Sequence, residues 1–292
     1  MRVVLLGTGG SAGVPLIGGG DGSGDWGECD PAEPRNRRTR TSIVVQSGVA
    51  SGQGASPEAA ADPAWGTTLL VDTAPDMRSQ LLACRIPRVD AVLFTHAHAD
   101  HITGIDDVRI LNRIVGRPLE AFATQPTLDE MTRRFAYVFR PWEPPGFYRP
   151  VLVAHPVSPG ETIEIAGMAV RLFRQNHGRV DTLGLRIGDF GYSTDVVALD
   201  DAAFATLAGI DTWVVGCFLR HGRHSTHANL DVVLRWVEQL RPRRTVLTHM
   251  GLEMDWAWMC ANLPPGVEPG YDGMVLDLTP ASSRAASTGA AA

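Results

Sequence analysis

Apolar positions in this chain fall mostly in short runs of strand length, broken by turns rich in glycine, proline and aspartate. In the first half, residues 2–6, 43–46, 68–71 and 90–94 read as buried strands, and 77–84 reads as a helix leading into the last of them. Ile102, Ile105, Val108, Ile110, Leu111 and Ile114 then recur at helical spacing. In the second half, 162–165 and 168–173 read as a hairpin turned at Ala166-Gly167, 183–187 and 190–193 as a second pair, and 212–217 and 245–247 as further strands. Helices are expected at 200–207 and, with a clear apolar face, at 230–240. Strands and a pair of helices thus recur in each half, which predicts an α/β fold, a four-layer αββα sandwich of two sheets flanked by helices. One domain is expected over 1–278. A flexible insertion rich in Ala, Gly, Ser and Pro is expected at about 48–66, and a disordered tail at 281–292.

Histidine and aspartate collect where these strands end. The run Thr95-His96-Ala97-His98-Ala99-Asp100-His101 follows one strand and opens a helix. Alternate residues of an extended segment point the same way, setting His96 beside His98. The turn then swings Asp100 and His101 to the other side of one pocket. Imidazoles and a carboxylate in so short a run suit a borderline divalent metal such as zinc or manganese. His177, Asp195 and His249 fall at other strand ends, where a sheet holds loops in place. Asp72 also ends a strand and is expected to orient a metal-bound imidazole.

Composition removes several classes of chemistry. All 26 basic residues of the 292 are arginine, so a P-loop lysine, a Schiff-base lysine and pyridoxal-phosphate chemistry are excluded. The formal charge of −6, with a pI of about 5.8, argues against duplex nucleic acid held by a general basic field. Cys29, Cys84, Cys217 and Cys260 are far apart and make no C-x-x-C pair or disulfide framework. The apolar run at 3–6 is too short for a signal peptide and no stretch is long enough to span a membrane, so a cytoplasmic location is expected.

Two loops carry further candidates. Gly7-Thr8-Gly9-Gly10-Ser11-Ala12-Gly13 has the spacing of a dinucleotide fingerprint, but Pro15 and the glycines at 18–24 forbid the helix that fingerprint needs. A loop offering N–H groups to an anion near the site is expected instead. Arg37, Arg38 and Arg40 are candidate substrate-binding residues, because guanidinium matches phosphate oxygens bidentately. Asp106, Asp107 and Arg109 either orient ligands or form a polar helix face. Residues 128–150 hold Phe135, Tyr137, Phe139, Trp142, Phe147 and Tyr148, and read as a substrate-facing lid or a homodimer surface.

The order H-x-H-x-D-H, with the strand-end ligands that follow it, resembles the metallo-β-lactamase superfamily from residue 1 to about 278. Gly7-Thr8-Gly9-Gly10 with Gly13-Val14-Pro15, the turn Leu247-Thr248-His249, and Gly270-Tyr271-Asp272-Gly273-Met274 are similar to the branch containing the phosphoribosyl cyclic phosphate phosphodiesterase. The resemblance implies two divalent ions, zinc or manganese. His96, His98 and His177 would hold one. Asp100, His101 and His249 would hold the other, Asp100 counting also in the catalytic set, and Asp195 would bridge them. His227, upstream of His249, would be the proton donor. That branch also carries a structural zinc on an N-terminal cysteine cluster and a histidine. Here only Cys29 remains and Leu252 stands at the histidine's place, so that zinc is expected to be absent.

The activity expected from this resemblance is hydrolysis of a small phosphorylated substrate, a cyclic phosphate or nucleotide. A hydroxide bridging the two metals would attack phosphorus. Similar proteins also include transfer-RNA 3′-processing endonucleases, thiolester and lactam hydrolases, and a pyrroloquinoline quinone biosynthesis carrier. Partners expected are that substrate and a second copy of the chain, with neither duplex nucleic acid nor a membrane. His155 is expected at the surface, and His221 and His224 at the surface or touching substrate.

Overall fold

The structure, a computed structural model, describes residues 1–48, 66–144 and 146–278. Its first sheet is built from β1 (Arg2–Gly7), β2 (Ser42–Ser47), β3 (Thr67–Val71), β4 (Ala91–Leu93), β5 (Leu119–Ala123) and β6 (Leu152–Pro156), with β14 (Val275–Asp277) at one edge. The second contains β7 (Thr162–Ile165), β8 (Met168–His177), β9 (Val180–Ile187), β10 (Phe190–Ser193), β11 (Thr212–Gly216), β12 (Arg244–Thr248) and β13 (Val267–Pro269). The strand orders are β14-β1-β2-β3-β4-β5-β6 and β13-β12-β11-β10-β9-β8-β7. From β3 to β6, and from β10 to β13, the strands run parallel.

Side-chain alternation along each strand decides the layers. One face of β1, β2 and β3 sends Val3, Leu5, Ile43, Val45, Leu69 and Val71 against Val170, Leu172, Leu185, Tyr192, Val214 and Val246 of the second sheet. The other face sends Val4, Leu6, Val44 and Leu70 against α1 (Met77–Ala83), α3 (Val108–Val115) and α4 (Gln125–Arg134). On the far side of the second sheet, Trp213, Val215 and Leu247 meet α5 (Asp201–Leu207), α6 (Leu230–Leu240) and α7 (Trp256–Asn262). Strands buried on both faces read as continuous apolar runs, which is why 2–6, 68–71 and 90–94 stood out in the sequence. The four-layer expectation holds.

The helix expected after His101 is not continuous. It is α2 (Ala99–Ile102), a 3-10 segment at Thr103–Asp107, and then α3. The tighter 3-10 turn rotates the face that follows. Ile102, Ile105, Val108 and Leu111 stay buried, while Ile110 and Ile114 are 41% and 48% exposed. The packing that forces the change is visible at Gly104, where a Cβ would stand 2.0 Å from the Ala74 carbonyl oxygen. β5 and β6 were not legible because Glu120, His155 and prolines interrupt their apolar pattern.

Residues 128–150 divide between α4 and a turn-rich segment. Phe135, Tyr137 and Phe139 pack against the core under the first sheet, and Trp142 stacks on Phe147 with ring centroids 4.6 Å apart. The insertion at 48–66 joins the paired strands β2 and β3, and all but its end residues lie outside the described residues, as does the tail at 281–292. Among the described residues, no helix is long and apolar enough to cross a membrane.

Candidate metal centre

Seven side chains from both sheets meet at one end of the sandwich. Asp72 follows β3, Thr95 and His96 lie just past β4, and His98, Asp100 and His101 open α2. His177 ends β8, Asp195 follows β10 and His249 follows β12. Three of these residues turn off their strands with left-handed backbones: Asp72 at φ 66°, Asp195 at 47° and His249 at 52°. Such conformations cost about 1–3 kcal/mol each in a non-glycine residue. Here they aim three functional side chains at one point.

The seven expected ligands form two groups, His96, His98, His177 with Asp195, and Asp100, His101, His249 with Asp195. Within each group the ligand atoms lie within 4.8 Å of one another. Asp195 divides its carboxylate between them. Its Oδ2 lies 3.6 Å from His96 Nε2 and 3.4 Å from His177 Nε2. Its Oδ1 lies 3.2 Å from His101 Nε2 and 2.9 Å from His249 Nε2. His98 Nδ1 is 3.2 Å from His177 Nε2, and Asp100 Oδ2 is 3.2 Å from His101 Nε2.

Whether this constellation fits divalent cations is decided by its buried atoms. His96 Nε2, His101 Nε2, His249 Nε2 and Asp100 Oδ2 are buried, point inward and have no hydrogen-bond partner. Unpartnered buried polar atoms are costly, and nitrogen and carboxylate donors are the ligands zinc and manganese accept. The residues fit.

A second layer sets the imidazoles. Asp72 is fully buried and accepts from the Thr95 N–H and hydroxyl, both at 2.8 Å, and from His101 Nδ1 at 2.7 Å. A carboxylate can only accept, so His101 presents the lone pair of Nε2 to the centre. Thr95 Oγ1 also lies 3.0 Å from His96 Nδ1. On the other side, His177 Nδ1 donates to the Thr226 carbonyl at 2.8 Å. Gly178 lets that loop approach, since a Cβ there would lie 2.7 Å from Thr226 Cγ2 and 3.0 Å from the Ser225 oxygen.

The electrostatics follow from the crowding of carboxylates. Burial opposes charge on every group, raising the Asp72 carboxyl against the pull of His101. It also lowers His96 well below the ordinary imidazole range. At His101 burial is outweighed by Asp195, Asp72 and Asp100, which hold the imidazole well above its usual value. At His249 burial loses to Asp195 and Asp100, and the value rises to about 9. Asp195 stays well below the carboxylate range, because His249 and His101 overcome its burial.

His227 stands where a proton donor is needed. Its ring is 4.7 Å from His249, 4.8 Å from His177 and 4.9 Å from Phe218. Burial, then the neighbouring His249, push it down to about 3. His224 is exposed, 5.0 Å from His227 ring to ring. His221 is exposed, and His155 is half-buried and paired with Glu120.

The arginine loop is a correction. Arg38 is buried, 1% exposed, and its guanidinium donates to the Met254 carbonyl at 2.6 Å, to Asn36 Oδ1 at 3.0 Å and to Cys29 Sγ at 3.8 Å. It is a structural pin, and burial lowers its pKa. Cys29 also donates to the Leu252 carbonyl at 3.3 Å, so this pair is engaged in the same packing. Arg40 pairs with Asp76 at 3.0 Å, and Arg37 lies over the Trp26 ring. None of the three lines a groove at the centre. Asp106 bonds Tyr137, away from the ligands. The N–H groups of Thr8, Gly9, Gly10 and Gly13 are spent on Asp272, Thr39, Met250 and Gly10, so the glycine loop is packed rather than open to an anion.

Two grooves leave the centre. A cleft of about 1020 Å³ opens beside His96 and His98, lined on its far walls by Arg134, Arg174 and Arg179. A narrower groove opens between Gly10–Gly13 and Phe218, near His249. At Gly10 a Cβ would stand 2.6 Å from Phe218 and 3.6 Å from His249 Cε1, so only glycine leaves this approach open. Sequence reasoning missed the cleft arginines and Thr95. Arg179 follows His177 by two residues, which is a usable signal, whereas Arg134 and Arg174 come from helix and strand faces with none.

Known proteins place the chain. The beta-lactamase superfamily domain model matches residues 67–250. A protein of Porphyromonas gingivalis named octanoyltransferase is 30% identical over 278 residues, 94% of this chain but 51% of the relative, so the chain spans about half its length. The crystal structure of a diphosphatase from the PhnP family is 31% identical, with a TM-score of 0.79 over 95% of this chain and 98% of that one. Zinc-bound PqqB from Methylobacterium extorquens shares the fold at 19% identity, with a TM-score of 0.65 over 95% of this chain and all of that one. A double histidine–aspartate ligand set at the ends of a two-sheet sandwich, a matching domain model and full-length likeness to a PhnP-family structure agree: the chain belongs to the metallo-β-lactamase superfamily.

Proposed function

We propose that the protein is a two-cation phosphodiesterase acting on a small cyclic phosphate or nucleotide, with zinc or manganese as the ions. The observation that carries this reading is the division of the Asp195 carboxylate between two complete ligand groups. A pair of divalent ions held there would supply Lewis acidity toward a phosphoryl oxygen and a water of lowered pKa. The likeness to a PhnP-family diphosphatase favours phosphoryl chemistry over the thiolester and lactam alternatives, which the same ligand set could serve.

The chain's own residues do the rest. Asp72 and the Thr226 carbonyl fix the His101 and His177 rings, so their inner nitrogens stay aimed at the centre. His227 gives a proton from a ring nitrogen to the departing alkoxide. Buried beside His249, it is held neutral at neutral pH. A phosphoryl anion brought against it favours its charged form. The two grooves accommodate the two ester arms of a diester on either side of the centre. The acidic surface balance does not favour a grip on transfer RNA.

The test is a screen of the metal-loaded protein against bis(p-nitrophenyl) phosphate, cyclic nucleotides, phosphoribosyl cyclic phosphate and lactams. Turnover of phosphodiesters supports the reading. Turnover of lactams alone, with phosphodiesters untouched, overturns it.

A further inference from the structure

The cleft beside His96 and His98 is larger than a phosphoryl group requires, and its wall is charged. Arg134, on α4, pairs with Glu130 at 2.6 Å and donates to the Ala97 carbonyl at 2.9 Å. Arg174, on β8, pairs with Asp181 at 3.3 Å and Asp200 at 3.1 Å. Both acidic residues that line the cleft, Glu130 and Asp181, are thereby engaged. Arg179 is different. It sits in the turn between β8 and β9, exposed in the cleft wall, and among the described residues its side chain has no hydrogen-bond or ion-pair partner. It therefore leaves the cleft with one uncompensated, bidentate-capable cation.

Its position is also constrained. Arg179 follows the ligand His177 by two residues, so their backbones lie within about 7 Å. The Gly178 turn between them is held against Ser225 and Thr226, so the Arg179 backbone is anchored while its side chain is free. An anchored backbone with an uncommitted guanidinium beside a reaction centre is equipped to read an anion at a set distance from that centre.

We propose that Arg179 is a specificity-determining residue that binds a second anionic group, a phosphomonoester, on the part of the substrate that does not react. The inference rests on the phosphodiesterase reading above and deepens it. Arg134 and Arg174, committed to their carboxylates, shape the wall, and Arg179 supplies the selecting charge.

The experiment uses a matched pair of substrates, adenosine 2′,3′-cyclic phosphate and the same compound carrying a 5′-phosphate, with the metal-loaded protein. Wild type is expected to prefer the 5′-phosphorylated form in kcat/KM. Arg179→Ala is expected to reduce that preference by about tenfold or more, the scale of a lost charge-assisted hydrogen bond, chiefly through KM. Arg179→Lys, which keeps the charge and loses the fork, is expected to recover part of it. No preference in wild type, or a preference unchanged in Arg179→Ala, overturns the proposal. If neither compound is hydrolysed, the phosphodiesterase reading is what has failed. Arg179 is then judged by calorimetric titration of ribose 5-phosphate into metal-loaded wild type and Arg179→Ala. Weaker binding by the variant upholds the anion site, and equal binding overturns it.

Discussion

Replacing Asp72 by asparagine separates the cation centre from the fold around it. The carboxylate takes three hydrogen bonds in a site with no solvent exposure, from the Thr95 N–H, the Thr95 hydroxyl and His101 Nδ1. Asparagine matches its shape but has only one accepting oxygen. With that oxygen toward the Thr95 N–H, the amide NH2 faces His101 Nδ1. The ring then favours the tautomer with its proton on Nε2, the atom that would bind a cation. With the amide flipped, the buried Thr95 N–H loses its acceptor, at about 1–3 kcal/mol. Either way the group formed by Asp100, His101 and His249 is weakened, while His96, His98 and His177 keep their own supports. The expected result is a loss of roughly 10- to 100-fold in affinity for one of two ions, about 1.4–2.7 kcal/mol. Calorimetric titration of the metal-stripped variant with zinc reads this as one shifted binding step and one near its wild-type position. Two unshifted steps, or two steps lost together in a variant whose circular dichroism is still native, would refute the reasoning.

His227→Ala is expected to keep both ions and to lose roughly 10²- to 10⁴-fold in rate on an alkoxide leaving group, with a much smaller loss on p-nitrophenolate, which hardly needs the proton; equal losses on both substrates remove the acid role. Arg38→Ala is expected to cost about 2–5 kcal/mol, because it empties a buried site and strips the Met254 carbonyl of its donor, lowering the melting temperature by roughly 5–15 °C without raising KM for phosphodiesters; a raised KM at native stability would restore the phosphate-clamp reading. Cation binding is expected to release protons: the carboxylates hold His101 well above its ordinary range and His249 at about 9, so below that pH each displaced proton costs affinity, about one decade per pH unit. Titrations in buffers of different ionisation enthalpy check this, and an observed heat independent of buffer contradicts it.

The ligands were legible because the chemistry that needs them also dictates where they stand. A metal ligand must be rigid, so it falls at a strand end, and strand ends are what hydrophobic patterning marks best. His96 and His98 stand out for this reason, while the roles of His177, Asp195 and His249 came from family resemblance. Asp72 was legible by the same logic, as a carboxylate closing an apolar run. The arginines were misread because sequence records a charge but not its burial. Arg38 satisfies itself within the packing of Cys29, Asn36 and Met254, residues distant along the chain. Arg179, with no internal partner, looks no different in sequence. The broken helix after His101 was hidden for a related reason: Gly104 meets Ala74, a contact across chain segments that no local periodicity reports.

The central claim is a pair of cations bridged by Asp195, and metal content measured on one purified preparation tests it most directly. Plasma mass spectrometry of wild type and Asp195→Ala, each reconstituted with zinc and freed of excess, should give close to two ions per chain for wild type and a loss from both positions in the variant, since one carboxylate serves both groups. A single ion per wild-type chain, or a variant that retains two, would contradict the account.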